Sequence, residues 1–190
     1  MLFSNFSKSP LNIAFIGGLR YFDVNKKVIR QFANSQDYVL SYIGKLHPGC
    51  DLIDYCSKYK ITNVHFFPRY TNEEKPKIYR SVDFINSIYG SSSPEVRTAL
   101  PNRLYDCALF KCPIIVSKGT YLAEVVGNYD LGFAVDVDHD DVKELLESYT
   151  AQYSEDDFMK GCEEFLCVAR EEKRDALEKV DSFIRSVRLL

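Results

Sequence analysis

Four short segments carry side chains able to grip a phosphorylated ligand, and each follows an apolar run that reads as a strand. The first is Ile16-Gly17-Gly18-Leu19-Arg20-Tyr21, with Lys26 and Lys27 a little further on. Gly17 and Gly18 let backbone come close to a ligand, and Arg20 with a nearby lysine supplies the cations a diphosphate requires. The spacing is not G-x-G-x-x-G and no acid closes the second strand, so the dinucleotide fingerprint is absent. A tight turn with solvated charges fits the same residues. The second segment, Phe66-Phe67-Pro68-Arg69-Tyr70, offers Arg69 and Tyr70 as a guanidinium and an aromatic ledge for stacking a base. Core aromatics before a proline turn explain it equally. In the third, Thr98 to Asp106, a serine-rich loop leads into a helix whose first turn, at Asn102, could hold phosphate. Asp106, one turn in, is placed to chelate two ribose hydroxyls. On pattern alone Arg103 is equally an exposed helix residue and Asp106 a solvated one. The fourth, Ser117-Lys118-Gly119-Thr120 followed by Glu124, offers Ser117, Gly119 and Thr120 to a sugar or phosphate, or is simply an N-capped helix.

The elements that must position these segments alternate strictly. Strands are predicted at 11–16, 38–43, 63–67, 83–87, 113–117 and 132–135, short and apolar on both faces, as in a sheet buried between helix layers. Amphipathic helices are predicted at 25–34, 51–59, 73–80, 101–110 and 121–128, with Pro101 in the first turn of its helix. This alternation predicts an α/β fold, a Rossmann-like doubly wound parallel sheet of about six strands. Ligands of such sheets bind at the carboxyl ends of the strands, where all four segments fall. After Asp136 the pattern becomes helical and charge-rich, with helices predicted at 140–149, 155–170 and 173–188. The division expected is a Rossmann-like domain over 11–137 and trailing helices over 138–190, packed on it or on a partner. The run 89–94, with Ser91, Ser92 and Ser93 in a row, reads as a flexible loop.

Composition narrows the function. The chain has 190 residues, 46% hydrophobic and 27% charged, an ordinary globular balance. Lys+Arg 24 against Asp+Glu 27 leaves a net charge of −3, with no basic field for nucleic acid. No apolar run approaches the ~20 residues of a membrane span, and the first ten residues do not resemble a signal peptide. The six cysteines form no C-x-x-C and lie at no zinc-finger distance from histidine, which suits reduced core thiols of a cytoplasmic protein. The acidic run 136–141 makes no metal-ligand pattern, so no metal is expected.

The stretch Pro101-Asn102-Arg103-Leu104-Tyr105-Asp106-Cys107-Ala108-Leu109-Phe110-Lys111-Cys112-Pro113-Ile114-Ile115-Val116-Ser117 resembles the nucleotide-sugar-binding segment of family 4 GT-B glycosyltransferases. That family carries P-N-K-L-x-E-A-L-x-x-G-x-P-V-I-A-S, then a helix and a G-L-G strand. Here Leu122 to Val126 and Leu131-Gly132-Phe133-Ala134-Val135 follow. Residues 15–20 and 64–69 stand where the family has its G-R…K and V-x-F-x-G segments. The likeness spans roughly 11–137 and is nearest to transferases of bacterial surface-polysaccharide assembly.

The resemblance implies one half of a GT-B fold, the C-terminal, donor-binding domain. It implies transfer of a sugar from a nucleoside-diphosphate sugar to a glycan or lipid-linked acceptor, with retention and without a metal. The phosphate-binding arginine and lysine would be Arg20 and Lys26 or Lys27, with Arg20 and Lys27 taken as catalytic. The ribose-binding glutamate would be Asp106, and base contacts would fall at Arg69 and Tyr70. The family's first glutamate falls on Thr98, a departure, since that residue ordinarily contacts the donor sugar; Glu95 is near but out of spacing. With about ten residues before the first strand, an acceptor-binding domain is expected to come from a longer chain or a partner subunit. That partner could also hold the chain at the inner membrane face. The alternative is a non-catalytic nucleotide-sugar-binding or partner-stabilising subunit.

Overall fold

The computed structural model describes Phe6 and residues 9–187. Alternating apolar side chains send each strand's two faces into two separate cores. In β1 (Leu11–Ile16), Ile13 and Phe15 face one layer and Ala14 and Ile16 the other. The chain continues through α1 (Phe22–Phe32), β2 (Tyr38–Ile43), α2 (Leu52–Lys58) and β3 (Val64–Phe67). A 3-10 turn at Asn72–Glu74 runs into α3 (Lys75–Tyr79), then β4 (Phe84–Ser87), α4 (Pro94–Thr98), α5 (Asn102–Phe110) and β5 (Ile114–Ser117). The last elements are α6 (Tyr121–Asn128), β6 (Gly132–Val135), α7 (Val142–Gln152) and α8 (Glu155–Val187).

All strand pairs are parallel and the sheet order is β3-β2-β1-β4-β5-β6. This is the doubly wound sheet expected, with the six strands of a Rossmann-like fold. Right-handed crossovers on a reversed winding direction put helices on opposite faces. Val28, Ile29 and Phe32 of α1, Leu52 and Tyr55 of α2 and Leu146 of α7 fill one core. Tyr79 of α3, Leu104 and Cys107 of α5, Val126 of α6 and Phe158 and Cys162 of α8 fill the other. Five of the six free cysteines are buried and Cys167 is exposed.

Several boundaries move. α1 begins at Phe22, earlier than predicted, because Tyr21 turns the chain through a left-handed conformation (φ 58°) straight into helix. Pro101 stands at the N-cap of α5, outside its first turn. The segment read as a flexible loop ends on a helix start: the Ser93 hydroxyl accepts from Val96 N and Pro94 opens α4. The two helices predicted over 155–170 and 173–188 are one helix of 33 residues. No proline interrupts it, and Arg170 to Lys173 are all good helix formers. Its first turns pack on the domain so closely that a Cβ on Gly161 would lie 1.7 Å from Tyr129 O. From Arg170 to Ser186 every residue is exposed. Arg188, Leu189 and Leu190 lie outside the described residues.

Candidate functional site at the topological switch point

The winding direction reverses between β1 and β4, and the pairing between them is short. Their register runs over Ile13–Phe84 and Ala14–Ile85, stopping two residues before Ile16 and Ser87 end the strands. A cleft therefore opens at their carboxyl ends, where ligands of such sheets sit. Two adjoining cavities occupy it. One, of about 410 Å³, is lined by Ile16, Gly17, Tyr70, Lys75, Asn102 and Asp106, among others. The second, of about 210 Å³, includes Gly18, Arg20, Tyr21, Glu95 and Val96. Tyr89, Pro101 and Arg103 line both.

Each wall has a local cause. Gly17 leaves β1 at φ 131°, and its carbonyl abuts Gly44 after β2 so tightly that a Cβ on Gly44 would lie 1.9 Å from it. The buried Asn25 amide donates to Arg20 O at 2.7 Å and Tyr21 O at 3.0 Å, holding the turn that presents Arg20. Arg20 Nε in turn donates to His47 Nε2 at 3.2 Å.

Asp106 is buried and lines the larger cavity. Lys75 Nζ and the Tyr79 hydroxyl both donate to it. Burial, reinforced by this carboxylate, pushes the Tyr79 phenol far above its usual range. The Tyr70 phenol is also raised, chiefly by burial.

The predicted site residues divide. Gly17, Gly18, Arg20, Tyr70, Asn102 and Asp106 line the cleft. Asp106 is not the solvated residue that its sequence pattern equally allowed. Arg69 is exposed and lines neither cavity. Lys26 pairs with Asp23 at 2.9 Å, and Lys27 pairs with Asp138 beyond β6, so neither lysine lines the cleft.

Ser117 and Thr120 are buried in structural work. Ser117 Oγ accepts from Tyr89 N at 3.0 Å and Gly90 N at 2.8 Å, tethering the β4–α4 loop. Thr120 donates to Ser117 O at 2.8 Å and caps α6 by accepting from Ala123 N at 3.1 Å. Gly119 takes φ 72° in the turn between them. Thr98 is exposed, its hydroxyl donated to Pro94 O.

Lys75 and Tyr89 were missed by sequence reasoning, and Glu95, set aside there as out of spacing, lines the smaller cavity. Arg103, read as equally an exposed helix residue, is only 7% exposed. Its signal was the three-residue spacing to Asp106, which puts both on one helix face.

The acidic run is a self-knit loop. Asp136 N donates to Asp140 Oδ2 at 2.7 Å, Lys118 pairs with Asp140 at 2.7 Å, and Asp141 caps α7. His139 Nδ1 lies 2.9 Å from Asp136 Oδ2, and this contact raises the imidazole pKa and lowers the carboxylate's. Among the described residues no three His, Cys, Asp or Glu side chains converge as a metal-binding group. No helix there is long and apolar enough to cross a membrane.

No family model matches the chain, and no curated protein matches it significantly by sequence. Solved structures do match its fold. The C-terminal domain of LpcC, a group 1 family glycosyl transferase from Francisella tularensis, aligns at TM-score 0.55 and 16% identity, over 80% of each chain. HepE of Anabaena, solved in complex with UDP, aligns at TM-score 0.69 and 12% identity, over 92% of this chain and 49% of HepE. The catalytic domain of cholesterol-alpha-glucosyltransferase from Helicobacter pylori aligns at 0.60 and 14% identity, over 83% of this chain and 99% of that one. The fold is thus that of the C-terminal domain of GT-B glycosyltransferases, and the chain spans about half the length of HepE.

Proposed function

We propose that this chain is the donor-binding half of a glycosyltransferase, holding a nucleoside-diphosphate sugar in the switch-point cleft. The observation that carries the reading is the convergence of Arg20, Tyr70 and Asp106 on two adjoining cavities at the carboxyl ends of β1 and β4. The fold shared with LpcC and with the UDP complex of HepE supports it. In this reading the Asp106 carboxylate accepts from ribose hydroxyls, Tyr70 lies beside the base, and Arg20 faces the diphosphate. Lys27, expected to share that task, would first have to leave Asp138.

Transfer forms a bond from an acceptor hydroxyl oxygen to the anomeric carbon and breaks that carbon's bond to the diphosphate. The electron pair stays on the departing phosphate oxygen, which takes up the acceptor's proton in a retaining transfer. Fixed positive charge at that oxygen lowers the barrier, and anchoring the ribose fixes the geometry of attack. The acceptor, a glycan or lipid-linked sugar, would be presented by a second domain or subunit facing the cleft.

Titration calorimetry with UDP and GDP tests the donor site. Micromolar to millimolar binding of one of them is expected, and no heat at millimolar nucleotide would overturn the reading. Thr98 favours a second reading, a nucleotide-sugar-binding subunit without turnover. It is an exposed hydroxyl tied to Pro94 O where the resemblance has an acid facing the sugar. Co-expression with the neighbouring gene product, then assay with labelled nucleotide sugar, separates the two. Turnover in the mixture supports the transferase, and binding without turnover supports the subunit.

A further inference from the structure

Arg103 is the only buried cation among the described residues. Its guanidinium lies 3.8 Å from the Phe15 ring centroid and 5.0 Å from that of Tyr89. Nη1 donates to Asn86 O at 3.0 Å, and among the described residues no carboxylate pairs with the group. Ring faces and one neutral carbonyl do not neutralise a full charge taken out of water. Burial lowers its pKa, though a guanidinium stays protonated at any ordinary pH. Gly17 keeps one side of it open: a Cβ there would lie 3.3 Å from Nη2. That open side matters because Arg103 lines both cavities of the cleft. Asp106 and Tyr70 stand in one cavity, Arg20 and Glu95 in the other, and Arg103 is on the ground between them.

We propose that Arg103 is the principal diphosphate-binding cation of this cleft, an anion hole left uncompensated until the ligand's phosphates enter. This rests on the donor-binding reading and gives it an order: nucleoside over Asp106, diphosphate over Arg103 with Arg20 as its second cation, sugar toward Glu95. A planar guanidinium with Nη2 free offers phosphate oxygens a fixed donor fork. It is already desolvated, so the attraction is little screened.

The test is calorimetry on the full chain with UDP, uridine and inorganic pyrophosphate, for wild type, Arg103→Met and Arg103→Lys, alongside ligand-free melting. The methionine variant is expected to lose affinity for UDP and pyrophosphate by about tenfold or more, with uridine binding unchanged within about twofold. Its ligand-free melting temperature is expected to equal or exceed the wild type's, because an unpaired buried charge has been removed. A guanidinium serving only to hold Phe15, Tyr89 and Asn86 together would give the opposite melting result. Arg103→Lys keeps charge without the fork and is expected to weaken UDP less than Arg103→Met does. Should Arg103→Met fail to fold, Arg103→Lys binding UDP as tightly as wild type overturns the proposal. UDP bound equally by wild type and both variants overturns it too, while leaving the donor site standing. Wild type that takes pyrophosphate through Arg103 but binds no nucleoside diphosphate keeps the anion hole and removes the donor reading instead.

Discussion

Lys75 and Asp106 form a two-point ion pair in the wall of the larger cavity, with Nζ 3.1 Å from Oδ1 and 2.9 Å from Oδ2. The Tyr79 hydroxyl adds a third hydrogen bond, 2.9 Å from Oδ2. The carboxylate that the donor reading assigns to ribose is therefore held in place before any ligand arrives, and a ribose must share it with Lys75. Asp106→Ala leaves the buried Tyr79 hydroxyl without an acceptor and Lys75 without its anion. A loss of about 2–3 kcal/mol is expected. A urea midpoint unchanged from wild type would show the network to be slack.

Arg20 and Lys27 should part company. Arg20 lines the cleft, whereas Lys27 is engaged by Asp138. Arg20→Ala is expected to weaken UDP by about tenfold, the worth of one hydrogen bond to a charged group, and to leave uridine nearly unaffected. Lys27→Ala should change neither by more than about twofold. Equal losses of uridine and UDP in Arg20→Ala would mean that this arginine only shapes the turn.

Ser117 matters through the loop it tethers. Ser117→Ala removes the acceptor for Tyr89 N and Gly90 N, so two donors near the cleft lose their partner. The expected destabilisation is about 1–3 kcal/mol. Faster amide exchange at Tyr89 and Gly90 would locate it; exchange unchanged at both would contradict the tether.

The His139–Asp136 contact carries a pH signature. Its imidazole pKa is raised, first by the hydrogen bond to Asp136, so its contribution is present in acid and lost as pH rises through that raised value. Asp136 is lowered, first by the bond to His139, so its contribution is present above the usual carboxylate range and lost in strong acid. The pair works in the window between. Both side chains are well exposed, so the effect on stability is small and best read by NMR. The His139 ring should titrate above the ordinary histidine value, and Asp136→Asn should bring it down.

Much of the sheet was legible because buried parallel strands are apolar on both faces. β1, β2 and β6 have the predicted bounds, and the other three each start one residue later. α4 was hidden by its brevity behind three serines, and α8 by a charged stretch that looks like a boundary but contains no breaker. At the site, local order gave Gly17, Arg20 and Asp106, since a strand end and a helix first turn are sequence features. What it could not give is the relation between elements. Lys75 meets Asp106 only because α3 and α5 share one face of the sheet, and Arg103 is buried only because α5 seats it against Phe15 of β1. Ser117 looks like a ligand group until the β4–α4 loop is seen to occupy its hydroxyl, and Thr120 until its hydroxyl is seen to bond Ser117 O and cap α6.

The short pairing of β1 with β4 also bears on mechanical coupling. Residues of β1 through β3 and those of β4 through β6 are two contiguous stretches of chain, joined within the sheet by two register pairs against six between β1 and β2. Arg103 bridges that seam, packing on Phe15 from one stretch while bonding Asn86 O of the other. A ligand lodged there touches both stretches at once and acts as a rivet, so its binding energy resists their separation directly.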